Sequence, residues 1–414
     1  MRIAFITAHN PLLAGPLGQS ASLPRALAAR GHRVTLYARQ QTAPSAGTTI
    51  LGRGASVEYV AAGPARPLPP DQAAQHIPEV AAYLADRWRA RPPDVVHAFS
   101  WLGGLAAVGA ARGSGTPVLL TFGSLAAAER RHAADSEVSA ARLRLEDCLG
   151  HAVDAVLANS CDEAAELARR GIPRTAIRVV PCGVDTEAFS PVGPIAERGS
   201  RFRLVASASA GQPRGLLAVV RALTQLPDTE LIIVGGPEVR QLPRSGAWRE
   251  VARLASAAGV RSRVTFAGEL PKIKLAALLR SADVMVGSQR YEPTGTAALQ
   301  AMACGLPVVV PGVGALSDAV VDGVTGFLVA PDNPAMLVQR IRELQARPVQ
   351  REALGIAAVD RARSRYDLSR IARETVAAYE WCVRGRHTAL GAVATDDLGV
   401  DEDAADELEL AVSG

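Results

Sequence analysis

The 414-residue sequence predicts an α/β protein made of two doubly wound, Rossmann-like domains. Three observations carry that prediction. Short Val-, Ile- and Leu-rich segments alternate with longer Ala-, Leu- and Arg-rich ones, the pattern of βαβ units around a buried parallel sheet. Residues 185–200, "DTEAFSPVGPIAERGS", interrupt the rhythm with two prolines and two glycines, and the alternation restarts after them. The length also exceeds the roughly 250 to 300 residues at which a single hydrophobic core stops growing.

In the first half the strand-like segments are 3–7, 34–38, 95–98, 118–122, 155–158 and 177–180. Helix-like stretches between them include 22–29, closed by Gly31, and 162–170, closed by Gly171, glycine being the residue that most readily takes the left-handed position after a helix. After the break, strands are expected at 202–206, 230–234, 264–267, 283–287 and 307–310. The organisation is therefore a first domain over 1–184, a linker over 185–200 and a second domain over 201–365. A C-terminal helix follows over 366–387, with Asp367 as its N-cap. Residues 388–414 are acidic and lack aromatics, so a disordered tail is expected. Ligands belong at the carboxyl ends of the strands and in a cleft faced by the two domains.

With 48% hydrophobic and 21% charged residues, the chain is globular. No apolar run reaches the ~20 residues of a membrane span. The opening "MRIAFIT" is too short for a signal peptide, so a cytoplasmic location is expected. Five cysteines form no C-x-x-C pair and read as buried, reduced thiols, without a disulfide framework or zinc site. The net charge of +4 hides an asymmetry: residues 391–414 hold eight acids and no Lys or Arg, which leaves the rest at about +12. Such a body suits anionic ligands and leaves peripheral membrane contact open. Nucleic acid is not expected, since no basic run is interleaved with aromatics.

The stretch "YEPTGTAALQAMACG", 291–305, follows an apolar strand and carries Glu292, Pro293 and Gly295 before a helical run from Thr296 that Gly305 can close. A helix N-terminus at the end of a strand offers unpaired N–H groups to an anion, and Glu292 can accept hydrogen bonds from hydroxyls.

Several blocks now occur in a familiar order: "ARRGIPRTAIRVVPCGVDTEAF", "LPDTELIIVGGP", "SADVMVGSQRYEPTG", "AMACGLPVVV" and "VVDGVTGFLVAPDNPAML". Together they resemble the family 4 glycosyltransferases, retaining enzymes of the GT-B fold, over roughly residues 1 to 382. The resemblance implies a nucleotide-diphosphate sugar as donor, an acceptor of unknown kind, no cofactor and no metal. A metal held by Asp-x-Asp is the solution of a different fold, and the one such triplet here, Asp401-Glu402-Asp403, lies in the tail. GT-B enzymes stabilise the leaving diphosphate with Arg, Lys and a helix N-terminus instead.

Carried over position by position, the resemblance makes Glu292 the catalytic residue that meets the donor sugar. Arg214, Leu270, Thr294, Gly295, Thr296, Gln300, Gly15 and Gly18 become nucleotide-sugar-binding positions, with Gln19 beside them. Leu17 stands where a second adjacent glycine is common, and Thr294 replaces a frequent aromatic. Three positions have lost a polar group of the family: Gly123 stands where a His is usual, Ser209 where a phosphate-binding Arg belongs, and Gln300 where an acid holds the ribose hydroxyls. Loss of one preorganised charge-stabilising donor is worth on the order of 10²- to 10³-fold in rate. Glu269 takes a place where a basic residue is frequent. His97 matches a His-x-His tendency whose second His is Phe99 here, and a lone His at a strand end reads as structural.

Two functions stay open. One is a metal-independent, retaining hexosyltransferase, in which the departing phosphate takes the acceptor proton and no side-chain nucleophile acts. The other is an inactive GT-B homologue that serves as a protein partner, an activator or a sugar-nucleotide sensor. A GT-B epimerase or phosphorylase is the weaker third reading.

Overall fold

The first strand, β1 (Arg2–Thr7), is buried from Ile3 to Thr7, so both of its faces and both of its edges need partners. β2 (Arg33–Arg39) and β5 (Val95–Phe99) flank it in parallel, with Phe5 opposite Leu36 and His97. Five further strands complete this sheet: β3 (Thr48–Gly52), β4 (Ala55–Val60), β6 (Val118–Thr121), β7 (Ala155–Ala158) and β8 (Ile177–Val179). The order is β3-β4-β2-β1-β5-β6-β7-β8, so the winding reverses between β1 and β5. The computed structural model describes residues 1–7, 21–42, 47–132, 138–207, 215–236, 246–287, 289–331 and 333–392. They fall into two units, residues 1–181 with 371–392, and residues 182–370.

The sheet is not wholly parallel as expected, because β3 runs antiparallel to β4 at its edge. This hairpin escaped the pattern of short apolar segments. Thr48, Thr49 and Ile50 are exposed or nearly so, and Glu58 reads as a break in "ASVEYV". In the folded chain Glu58 is only 7% exposed, and its carboxylate accepts from Tyr83 Oη at 2.6 Å and Arg87 Nε at 2.7 Å. A matched charge can occupy a buried strand.

The helix Leu368–Ala392 begins where Asp367 accepts from the Ser369 amide at 2.9 Å. From Ile371 onward it belongs to the first unit, where Ala372, Tyr379 and Cys382 pack with Phe5, Leu36 and Leu119. Of the cysteines, Cys304 and Cys382 are buried, Cys148 and Cys182 are half-buried, and Cys161 is exposed, which corrects the expectation of five buried thiols. Cys161 opens a helix, Cys161–Arg169, whose buried face lies at Glu163, Glu166 and Leu167.

The second unit holds a six-stranded sheet: β9 (Phe202–Ser207), β10 (Thr229–Val234), β11 (Val264–Gly268), β12 (Val284–Val286), β13 (Val308–Pro311) and β14 (Gly326–Val329). All pairs are parallel in the order β11-β10-β9-β12-β13-β14, the doubly wound arrangement in which ligands sit at the switch between the first and fourth strands. Alternation along β9 places Leu204 and Ala206 in one apolar cluster and Val205 in the other, so the sheet is covered on both faces. Residues 185–200 lie along this unit: Phe189 is 3% exposed in its core, and Arg280 holds the carbonyls of Ser190 and Pro194 at 3.1 and 2.7 Å. Residues 388–392 continue the last helix, and the remainder of the expected tail lies outside the described residues. No helix among the described residues is long and apolar enough to cross a membrane.

Candidate functional site

β9 and β12 are neighbours, and the chain leaves β12 through Gly287 into the loop that carries Glu292, Pro293, Thr294 and Gly295. The sequence forces a turn here. Gly295 adopts φ +67°, a left-handed conformation that glycine takes without penalty, and the helix Thr296–Ala303 starts immediately after it. The N–H groups of residues 296–298 have no carbonyl within that helix to bond. This helix end follows β12, which neighbours β9 at the switch of the sheet where the topology predicts a ligand, and it adds a partial positive charge.

Glu292 organises this loop. Its Oε1 accepts from the Thr294 amide at 3.2 Å, the Thr294 hydroxyl at 3.0 Å and the Gly295 amide at 3.1 Å. Thr296 Oγ1 lies 3.2 Å from Thr294 Oγ1, so the four residues form one hydrogen-bonded unit. Gln300 is half-buried four residues further along the helix, on the face that Thr296 starts. Leu270, after β11, is half-buried and packs against the apolar cluster that contains Ala298 and Leu299. Glu269 is exposed. Gly15, Gly18, Gln19, Ser209 and Arg214 lie outside the described residues.

Sequence reasoning missed the support of this loop. The Glu292 carbonyl accepts from the Ala315 amide at 2.9 Å, and Gly314 passes so close that a Cβ there would stand 2.3 Å from that carbonyl oxygen. Gly314 also sits at φ +53°, ψ −135°, a region open almost solely to glycine. The available signal was "PGVGALSD" directly after an apolar strand, a glycine placed for close backbone approach.

In the first unit Gly123 follows β6 with φ +73°, and a Cβ built on it would have no atom of the described residues within 4 Å. It lies at the carboxyl end of that strand. His97 is 1% exposed, bonded to Tyr379 Oη at 2.7 Å and Thr121 Oγ1 at 2.9 Å, and burial pushes its pKa down to about 3. It is a neutral structural residue.

Beside Gly123 stands a charged cluster that the sequence did not announce. Arg142, on the helix Ala140–Ala152, donates Nε to Glu146 at 2.8 Å, Nη1 and Nη2 to Glu129 at 3.2 and 3.0 Å, and Nη2 to the Ser124 carbonyl at 3.0 Å. Glu146 also accepts from the Ala126 amide at 2.7 Å, and Ser124 Oγ donates to Glu129. Burial pushes Glu146 up to about 7 against the opposing pull of Arg142 and that amide. Glu163, also 2% exposed, is likewise pushed up to about 7 by burial, against hydrogen bonds from the Asn159 amide at 2.8 Å and Nδ2 at 3.2 Å. The i,i+4 spacing of Arg142 and Glu146 was the one sign of this cluster in the sequence.

Residues 21–188 match the domain described as glycosyltransferase family 4, and residues 204–361 match glycosyl transferases group 1. A D-inositol 3-phosphate glycosyltransferase of Nocardiopsis dassonvillei is 32% identical over 89% of this chain and 90% of its own length. One of Kribbella flavida is 30% identical over 91% and 95%. Among solved structures, sucrose-phosphate synthase from Thermosynechococcus elongatus superposes with a TM-score of 0.85 at 24% identity, covering 93% of this chain and 99% of that one. Anabaena HepE in complex with UDP and glucose gives 0.71 at 18%, covering 92% and 99%. These two likenesses establish the fold, which is GT-B.

Proposed function

The chain belongs to glycosyltransferase family 4, and on that premise we propose that it transfers a hexosyl group from a nucleotide-diphosphate sugar to a hydroxyl acceptor with retention of configuration. The observation that carries this reading is the loop between β12 and the helix Thr296–Ala303, where a carboxylate, a left-handed glycine and a helix N-terminus meet at the switch of a parallel sheet. The diphosphate belongs at the amides of residues 296–298 and at Arg214, whose planar fork can bind it bidentately. Glu292 then faces the sugar, Gln300 accepts from a ribose hydroxyl, and Leu270 lies toward the base. As the glycosidic bond breaks, negative charge grows on the leaving phosphate, which these donors stabilise and which takes the acceptor proton. Neither a side-chain nucleophile nor a metal has a place in that scheme.

A second reading, a sugar-nucleotide sensor without turnover, is favoured by Gly123 and Gln300, which replace a His and an acid of the family. Calorimetric titration with UDP-, GDP- and ADP-sugars, followed by NMR of the product anomer with and without chelator, tests both. Binding followed by transfer with retained anomeric configuration is the expected result. Binding without turnover selects the sensor, and the absence of any donor binding overturns both.

A further inference from the structure

The second unit holds an open cavity of about 400 Å³ at the amino edge of its sheet, a volume within the range of small-molecule sites. Three neighbouring strands supply its floor: Asp228 stands immediately before β10, Phe202 opens β9 and Asp283 stands immediately before β12. Gln345 reaches it from the end of the helix Pro334–Ala346, and Arg351 from the start of the helix Pro348–Tyr366. The loop of Glu292 lies at the opposite edge. β9 spans six residues between the two edges, ~20 Å at about 3.3 Å per residue, so the cavity is separate from the site described above.

Part of the lining is already committed. Arg198 gives Nη1 to the Ser281 carbonyl and Nη2 to Asp283, each at 2.7 Å. Arg351 gives Nη1 to the Leu344 carbonyl at 2.9 Å, lies 3.7 Å from Asp283 and covers the Phe202 ring at 5.2 Å. Asp283 also accepts from the Arg203 amide at 2.8 Å, so two guanidinium groups and one carboxylate form a closed cluster. The other polar groups are open. Gln345 gives Nε2 to Thr229 Oγ1 at 2.9 Å, which leaves its Oε1 as an acceptor. Among the described residues, the side chains of Asp228 and Ser200 have no hydrogen-bonding partner, and both are exposed.

An occupant must therefore bring donors. A cation would meet Arg263, which interacts electrostatically with both Asp228 and Arg201. An anion would meet the Asp228 carboxylate while Arg198 and Arg351 are engaged by Asp283. Neutral hydroxyls donate to carboxylate and carbonyl oxygens and both give to and accept from a serine, so they meet neither obstacle.

We propose that this cavity is a second ligand site that binds a neutral saccharide, whose hydroxyls bond to Asp228, Gln345 Oε1 and Ser200. The full chain is titrated by saturation-transfer NMR with glucose, galactose, mannose and N-acetylglucosamine, and with glucosamine and glucose 6-phosphate as charged counterparts. At least one neutral sugar is expected to bind with a Kd of about 1 to 10 mM. Asp228→Ala, which removes an acceptor, and Ser200→Trp, which fills the cavity from an exposed position, should each weaken it at least about fivefold. The affinity for nucleoside diphosphates, titrated separately, should stay unchanged in both variants, and its absence from the wild type would bear on the glycosyltransferase reading alone. Thermal unfolding identifies the folded variants, and either one suffices. The proposal is overturned if no neutral sugar binds the wild type or if a folded variant keeps the wild-type affinity. Tighter binding of glucosamine or glucose 6-phosphate that Asp228→Ala removes overturns it as well.

Discussion

Glu292 in the second unit and Glu129 in the first are both carboxylates at the carboxyl edge of a parallel sheet, and both accept several hydrogen bonds. Their donors differ. Glu292 takes two amides and a hydroxyl from its own loop, whereas Glu129 takes a guanidinium from a helix 13 residues away and the Ser124 hydroxyl. One carboxylate shapes backbone, and the other neutralises a cation. The loop after β12 therefore depends on glycine geometry, while the first unit's edge depends on buried charge and responds to pH.

Gly314→Ala is the strongest way to break the loop side of this contrast. The added methyl would stand 2.3 Å from the Glu292 carbonyl oxygen on a backbone at φ +53°. Strain and overpacking together are worth about 2 to 4 kcal/mol, a fall in Tm of roughly 6 to 12 °C for a unit of this size. Donor binding should be lost along with the loop. An unchanged melting temperature by calorimetry would mean that the close approach is not needed.

The charged edge should break with pH instead. Glu146 and Glu163 rise from 4.5 to about 7 in the folded state, so between those values the native chain holds more protons than the unfolded one. Stability from these groups is full below pH ~4.5, falls as pH rises toward ~7 and is flat above, by about 1 to 3 kcal/mol per carboxylate. Glu163→Gln should be more stable than the wild type at pH 8 by a similar amount and little different at pH 4.5, read by urea denaturation at the two pH values. A slope of the opposite sign would show that the hydrogen bonds of Glu163 outweigh its desolvation.

Gln300→Glu sharpens the loop side. A charged acceptor in place of a neutral one is worth ~1 to 3 kcal/mol, so binding should tighten about tenfold. If the residue meets the ribose, nucleoside diphosphate and sugar nucleotide gain alike. A gain confined to the sugar nucleotide would place Gln300 at the sugar.

Much of this was legible beforehand. Strands such as Ile3–Thr7 and 202–206 are buried on both faces and read directly as apolar runs, and the "EPTGT" loop announced its turn through Gly295. What stayed hidden depends on tertiary partners. The hairpin of β3 and β4 is masked by Glu58, whose partner Arg87 is 29 residues on. The Arg142 cluster is assembled from three segments whose residues look like ordinary surface charge, and Gly314 matters because of a carbonyl that sequence spacing does not locate.

Gly123→His is the smallest change in stability and the most direct comparison of the two edges. The left-handed backbone costs a side chain about 1 kcal/mol, and His is among the residues that tolerate it better than most. No atom of the described residues lies within 4 Å of the added Cβ, so packing against them gives no further penalty. The imidazole would stand beside the Ser124–Glu129–Arg142 network, which is fixed by its own hydrogen bonds. In a working transferase, transfer should change by no more than about tenfold with donor affinity unaltered, since the natural chain already turns over without that side chain. In a sensor, Gly123→His combined with Gln300→Glu should create transfer where the natural chain has none. Creation of activity from zero, measured as product formed per enzyme in a single-turnover assay, would sink the working-enzyme reading. A measurable rate in the natural chain, with the double variant close to it, would show that donor-side geometry suffices without the polar group after β6.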